Sequence, residues 1–310
     1  MGRDQYPVNS EDYWRYARAS VTGTSHLKTG SCCQDAGAVR AVTTAEGAWL
    51  VAGVADGAGS CRLSAQGARI CCAVFGAEME RLLQERNKSF SMDRRDAEAV
   101  IGKMRLVIDE AAEQAEAVAR HYDSAVCRPI GHADKERTVP SDPRRPLTRK
   151  DFASTFVGAV IGEKASAFFQ IGDGGMVVRA NGEEGYRPVF WPQSGQYANE
   201  TYFVTDRSVR LQFEARTGGI DEIALFSDGL QRLVLTIRER TAYAPFFQDL
   251  FGQLRRKAKR EGLSEPLSAG LARFLGSRRI NARTDDDKTL ILATRLLHET
   301  VVLHETATRT

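Results

Sequence analysis

Acidic residues stand at four places where otherwise apolar runs stop or start. Asp56 closes "WLVAGVAD", Asp173 follows "AFFQIG" and Asp228 follows "ALFS". Asp285, Asp286 and Asp287 stand directly before "KTLIL". If these run ends meet in space, several carboxylates repel one another, and some must take up protons or share a cation. Hard divalent cations such as Mg²⁺ and Mn²⁺ prefer carboxylate, carbonyl and water oxygens. Glycine after Asp56 lets the backbone approach an ion, which makes the Gly57 carbonyl a further candidate ligand. Taken singly, an Asp-Gly pair reads as a turn and "TDDDK" as a solvated charge run. The shared placement at strand ends favours the cation.

The elements that would position these groups follow from periodicity. Residues 37 to 56 read as two strands joined by a turn at Glu46-Gly47. Ser64 is placed to cap a helix running to about residue 85, with Ile70, Val74, Ala77 and Leu82 on one face. A second helix over about 94 to 121 keeps Val100, Met104, Val107, Ile108, Ala111, Ala115 and Val118 at three-four spacing. Residues 123 to 150 hold four of the nine prolines, lack apolar periodicity and read as a surface loop or insertion. Strand signals then crowd together in "FASTFVGAVI", "KASAFFQIGDGGMVVRA", "GYRPVFWP", "NETYFVTD", "VRLQFEA" and "DEIALFSDG". Helical stretches near 242 to 260 and 266 to 277 precede a last strand, "KTLILATRLL", and a polar tail over about 298 to 310. Strand runs on both sides of a helical pair point to one α+β domain over 1 to 310, with sheets packed on each other and helices outside.

The bulk numbers exclude several classes. A chain of 310 residues, 42% hydrophobic and 27% charged, has the composition of a globular protein with a sizeable core. Its net charge of +3 is too small to imply a nucleic-acid or membrane partner. No run approaches the length of a membrane span. The first residues lack the basic start and apolar middle of a secretory signal, so a cytoplasmic location is expected. Six cysteines include two adjacent pairs and no C-x-x-C, a poor zinc pattern; Cys71 and Cys72 read as helix packing residues. "RRKAKR", residues 255 to 260, reads as the solvated face of a helix.

In this order the motifs resemble those of the metal-dependent serine/threonine protein phosphatases of the 2C-like family, in wording close to a bacterial branch. The resemblance covers about residues 20 to 297. It rests on "SCCQDAG", "VADGAGS", "STFVGAVI", "IGDGG", "LFSDGL" and "DDKTLIL". It implies two antiparallel β-sheets packed as a sandwich, flanked by helical pairs, with two Mg²⁺ or Mn²⁺ ions at one end. By position, Asp56 would bridge both ions, the Gly57 carbonyl would bind one, and Asp228 and Asp286 would complete the set. Asp173 matches the residue tied to a third, weaker ion in some members. Asp35 would hold a water in the outer shell. The implied reaction is hydrolysis of phosphoserine or phosphothreonine in a protein, by a hydroxide held between two cations and with no covalent enzyme intermediate.

Three departures from the family pattern concern proton delivery and substrate grip. Ala58 and Gly59 occupy the region where many members have a histidine, Gln34 stands where the early motif often has Glu, and the phosphate-binding arginine has no clear counterpart. His26 and Lys28 are the candidates for contact with substrate phosphate. Besides an active phosphatase that works opposite a cognate Ser/Thr kinase, two readings stay open. One is a catalytically weak phosphatase-fold regulator that binds phosphoproteins or a kinase. The other is a structural α+β protein whose Asp-Gly pairs are only turns.

Overall fold

The computed structural model describes residues 13–86, 90–125, 145–193, 201–257 and 261–296. Two sheets form its centre. The first runs β12 (Gly262–Leu263), β1 (Tyr13–Val21), β13 (Lys288–Leu296), β9 (Ile220–Phe226), β6 (Gly175–Ala180) and β7 (Arg187–Pro188). The second runs β2 (Ala36–Thr44), β3 (Gly47–Ala55), β4 (Phe156–Ile161), β5 (Ala165–Ile171) and β8 (Gln212–Thr217). Every pairing in the second sheet is antiparallel, and in the first only the short β1–β12 contact is parallel. The separate pair β10 (Leu235–Thr236) and β11 (Thr241–Ala242) forms a small ribbon.

Strand alternation builds four layers from this pair of sheets. In β3, Leu50, Ala52 and Val54 enter the core between the sheets, while Trp49, Val51 and Ala55 face outward onto helices. β9 and β13 repeat the pattern: Ile223, Leu225, Ile291 and Ala293 face the sandwich, and Ala224, Phe226, Leu290 and Leu292 face the other helical layer. A strand covered on both faces must be apolar at every position, which is why these segments read as unbroken hydrophobic runs. The second sheet is covered by α2 (Ser64–Glu85) and α3 (Arg94–Ala125). The first is covered by α4 (Gln231–Val234), α5 (Ala244–Lys257), α6 (Glu265–Leu275) and α7 (Arg278–Asn281). Each fully buried Leu, Ile or Phe in these layers contributes about 2–3 kcal/mol by leaving water.

The α+β sandwich flanked by helices agrees with the expectation, and several details differ. β1 starts at Tyr13, ahead of the expected core, and pairs with β13 along its whole length from Tyr13↔Leu296 to Val21↔Lys288. Ser64 is the first residue of α2 and not its cap; its hydroxyl donates to the Cys61 carbonyl at 3.3 Å. "GYRPVFWP" yields only the two-residue β7 at the edge of the first sheet, where Pro188 is tolerated. "NETYFVTD" contributes no strand among its described residues. Most of the expected loop over 123–150 and the tail lie outside the described residues. The loop's end does not: residues Arg149–Phe152 form a 3₁₀ turn closed by a capping box between Thr148 and Asp151. Cys71 and Cys72 are buried against the second sheet, as expected of packing residues.

Candidate functional site

Register brings the acidic strand ends to one rim. Ala36 pairs with Ala55, so Asp35 and Asp56 leave the second sheet side by side. Asp56 is fixed to the lead-in of β4, where its N–H donates to Thr155 Oγ1 at 3.2 Å and its carbonyl accepts the Thr155 N–H at 2.8 Å. In the first sheet Phe226 pairs with Leu290, which carries Ser227 and Asp228 alongside residues 286–289. Ser227 joins the sheets: its hydroxyl donates to Asp35 Oδ2 at 2.7 Å and accepts the Thr289 N–H at 3.0 Å. Asp173 follows β5 after Gly172, and its carbonyl accepts a hydrogen bond from the Gln231 side chain.

These carboxyls shape each other's charge. Burial raises the pKa of Asp35 to about 6, against the pull of hydrogen bonds from Ser227 and Thr289. Burial again dominates at Asp56, whose pKa stands well above the ordinary value because Asp35 and Asp228 add their charges. Asp228 is lifted to about 7 by burial and by the charge of Asp173, with Asp286 and Asp35 contributing. Asp173 is raised by burial and by Asp286. Asp56 lies at the centre of the chain of interactions, in hydrogen-bonding reach of both Asp35 and Asp228. At neutral pH such a group binds protons or a cation.

The oxygens left without donors favour a cation. Asp35 Oδ1, Asp173 Oδ1 and Asp228 Oδ1 are buried and have no hydrogen-bond partner. A buried polar atom in that state costs about 1–3 kcal/mol, and a hard divalent ion is the partner that suits a carboxylate oxygen best. Among the described residues no three His, Cys, Asp or Glu side chains converge closely enough to enclose an ion by themselves. The arrangement is a row and not a closed cage. That suits Mg²⁺, which keeps several waters and takes only one or two carboxylates.

The Asp triplet divides into three jobs. Asp285 is exposed and offers its carbonyl to the Ser25 N–H and hydroxyl at 2.9 and 2.7 Å. Asp286 is half-buried and electrostatically joined to Asp173 and Asp228. Asp287 is buried; its Oδ1 accepts the Gly23 N–H and its Oδ2 the Gln34 N–H, both at 2.6 Å. His26 Nδ1 lies 3.0 Å from the same Oδ2. His26 therefore joins the rim through Asp287, whereas Lys28 is exposed on α1 (Thr24–Thr29) and touches none of the carboxylates. Sequence reasoning missed Asp287, Ser227 and Thr289 as the ties that hold the rim together. A signal for Asp287 was its place next to a strand buried on both faces, where a carboxylate must find donors.

Two glycines are set by close approach. A Cβ on Gly57 would sit 2.9 Å from the Gln34 carbonyl and 2.8 Å from the Ser64 backbone. On Gly229 it would sit 2.0 Å from the Asp287 carbonyl oxygen, so the turn after Asp228 presses directly on the terminal motif. Away from the rim, Arg255 of "RRKAKR" is not a purely solvated group. It pairs with the fully buried Glu222, which Arg179 Nε and the Tyr186 hydroxyl also hold at 2.9 and 2.6 Å.

Comparison with known proteins gives concordant findings. The family description Protein phosphatase 2C matches residues 22–275. Serine/threonine-protein phosphatase 3 of Escherichia coli K12 is 32% identical over 283 residues, spanning 90% of this chain and 98% of that protein. In fold, the chain is similar to the crystal structure of the serine/threonine phosphatase Stp1 of Staphylococcus aureus, with a TM-score of 0.51 at 14% identity, covering 95% and 99% of the two chains. PppA of Pseudomonas aeruginosa gives a TM-score of 0.51 at 13% identity, covering 92% and 98%.

Proposed function

The chain belongs to the protein phosphatase 2C family and is a protein phosphatase; from that premise we propose that it hydrolyses phosphoserine and phosphothreonine in proteins with the help of two Mg²⁺ or Mn²⁺ ions. The observation that carries this reading is the row of buried carboxylates with three oxygens lacking any donor. Asp56, the Gly57 carbonyl, Asp228 and Asp286 are the proposed ligands, with Asp173 reserved for a third, weaker ion. Bound there, divalent cations would lower the pKa of water and neutralise phosphate oxygens.

The chain's own residues prepare that site. Ser227, itself fixed by the Thr289 N–H, holds Asp35 by Oδ2, leaving Oδ1 to orient a water. Thr155 holds the Asp56 backbone by two hydrogen bonds, which fixes the point on the rim from which its side chain leaves. Gly229 lets the Asp228 turn close on Asp287. No helix among the described residues is long and apolar enough to cross a membrane, and the phosphorylated substrates proposed are proteins of the cytoplasm, supplied by a Ser/Thr kinase.

Phosphate release from a phosphoserine peptide tests the reading, with Mn²⁺ or with chelator, in wild type and Asp56→Asn. Wild type should need the ion, and the variant should lose about 10²–10³-fold of activity. Equal activity in all four assays would sink it. The absence of a histidine after Gly57 supports a slower enzyme that serves as a phosphoprotein-binding regulator. Turnover against binding of the same phosphopeptide separates the two.

A further inference from the structure

We propose that the cavity between α5, α6 and α7 is a binding site for a small aromatic anion, and that filling it steadies the segments that carry Asp228 and Asp286. The anion site does not depend on the phosphatase reading above; only its effect on the proposed metal ligands rests on that reading.

The cavity holds about 440 Å³, within the range of roughly 300–1,000 Å³ that suits a small ligand. Leu250 and Leu254 of α5, Leu271 of α6 and Leu292 of β13 give it an apolar lining. Each long helix adds an aromatic ring, Phe246 from α5 and Phe274 from α6, with centroids 6.1 Å apart and planes at 47°. Rings so placed offer edges and faces to a third, flat ring. Gly270 keeps the space open. It lies inside α6, where glycine is a poor helix former, and it lines the cavity. A Cβ there would meet only the Arg273 side chain, at 3.9 Å.

Charge selects the sign of the ligand. Arg279 and Arg283 also line the cavity; both are exposed, and neither forms an ion pair among the described residues. Asp249 is the single carboxylate among the described lining residues, so the guanidinium groups outnumber it. An aromatic ring can enter between the helices while its carboxylate stays with the exposed arginines, whose planar fork binds it by two N–H groups.

Two walls lead to the acidic row. Leu233 belongs to α4, which follows the turn Asp228–Leu230 without a break. Ile280 belongs to α7, and its carbonyl accepts the Arg283 and Thr284 N–H groups at 2.8 and 3.3 Å. The Thr284 hydroxyl in turn accepts the Asp286 N–H at 3.4 Å. A ligand that immobilises Leu233 and Ile280 therefore lowers the cost of ordering Asp228 and Asp286 around an ion.

Titration calorimetry on the metal-free chain tests the site with 2-naphthoate, 2-naphthylmethylammonium and decanoate. The naphthoate should bind at one site. The cation with a similar ring, and the anion without one, should each bind at least about tenfold more weakly. Replacing both arginines, Arg279→Gln with Arg283→Gln, should weaken the naphthoate about tenfold. Gly270→Leu should abolish binding while melting at or above the wild-type temperature, so that lost binding is not lost folding. No uptake of the naphthoate, undiminished affinity in Gly270→Leu, or a preference for the cation or for decanoate would overturn the site. With 2-naphthoate saturating, Mn²⁺ should bind wild type at least about threefold more tightly, and Gly270→Leu should show no such change. An unchanged Mn²⁺ affinity in wild type would overturn the coupling. Wild type that takes up no Mn²⁺ at all would overturn the two-ion reading and the coupling, but not the anion site.

Discussion

Asp228→Asn should stabilise the metal-free protein at high pH while removing its activity. In the fold the pKa of Asp228 moves from 3.8 to about 7, driven by burial and by the charge of Asp173. A carboxyl displaced that far carries about 4 kcal/mol of penalty when ionised in the native state. The titration is shared with Asp56 and Asp35, so roughly half, about 2 kcal/mol, should be recovered by replacing one member with a neutral amide. The sign follows from proton linkage. A raised folded pKa means that the native state holds protons the unfolded chain has lost, so the contribution is complete below 3.8 and disappears as pH rises through about 7. The variant's advantage over wild type should therefore be near zero at pH 4 and full at pH 8. Thermal melts in chelator should show it as a rise of about 4 °C at pH 8. Saturating Mn²⁺ should reverse the order, since wild type gains more from the ion than the variant does. A variant destabilised equally at both pH values would refute the idea that these carboxylates strain the empty fold.

Three further outcomes follow from single contacts. Asp287→Ala removes the acceptor of the Gly23 and Gln34 N–H groups and should cost about 3–5 kcal/mol in chemical denaturation, with new proteolytic cleavage between residues 23 and 34. Gly229→Ala places a methyl 2.0 Å from the Asp287 carbonyl oxygen; a melt should show a loss of about 3 kcal/mol or more, because the obstructing atom is backbone. Glu222→Gln should cost about 3 kcal/mol at pH 7 by leaving Arg179 and Arg255 without their buried counter-charge. Burial opposes the charge of Glu222, but Arg179 and Tyr186 hold its pKa below the ordinary 4.5. Its contribution is thus present above that pH and lost as pH falls through the lowered folded value, so melts of wild type and variant should converge in acid.

Read without a structure, the residues already determined the layer plan and the acidic rim. Strands such as "AWLVAGVA" and "KTLILATRL" are apolar at every position because both faces are covered, and that is a local property written in consecutive letters. Aspartates at the ends of those runs were legible for the same reason, as were the helices Ser64–Glu85 and Arg94–Ala125 from their three-four spacing. Only the tertiary structure decided which aspartate does what. Asp285, Asp286 and Asp287 are chemically identical neighbours, and they differ because one is exposed, one faces the other carboxylates and one is buried among backbone donors. The bridge from Ser227 to Asp35 spans 192 residues, and Arg255 meets Glu222 across the sheet–helix boundary. Such pairings depend on strand register and on which layers touch, and no short window of sequence carries that information.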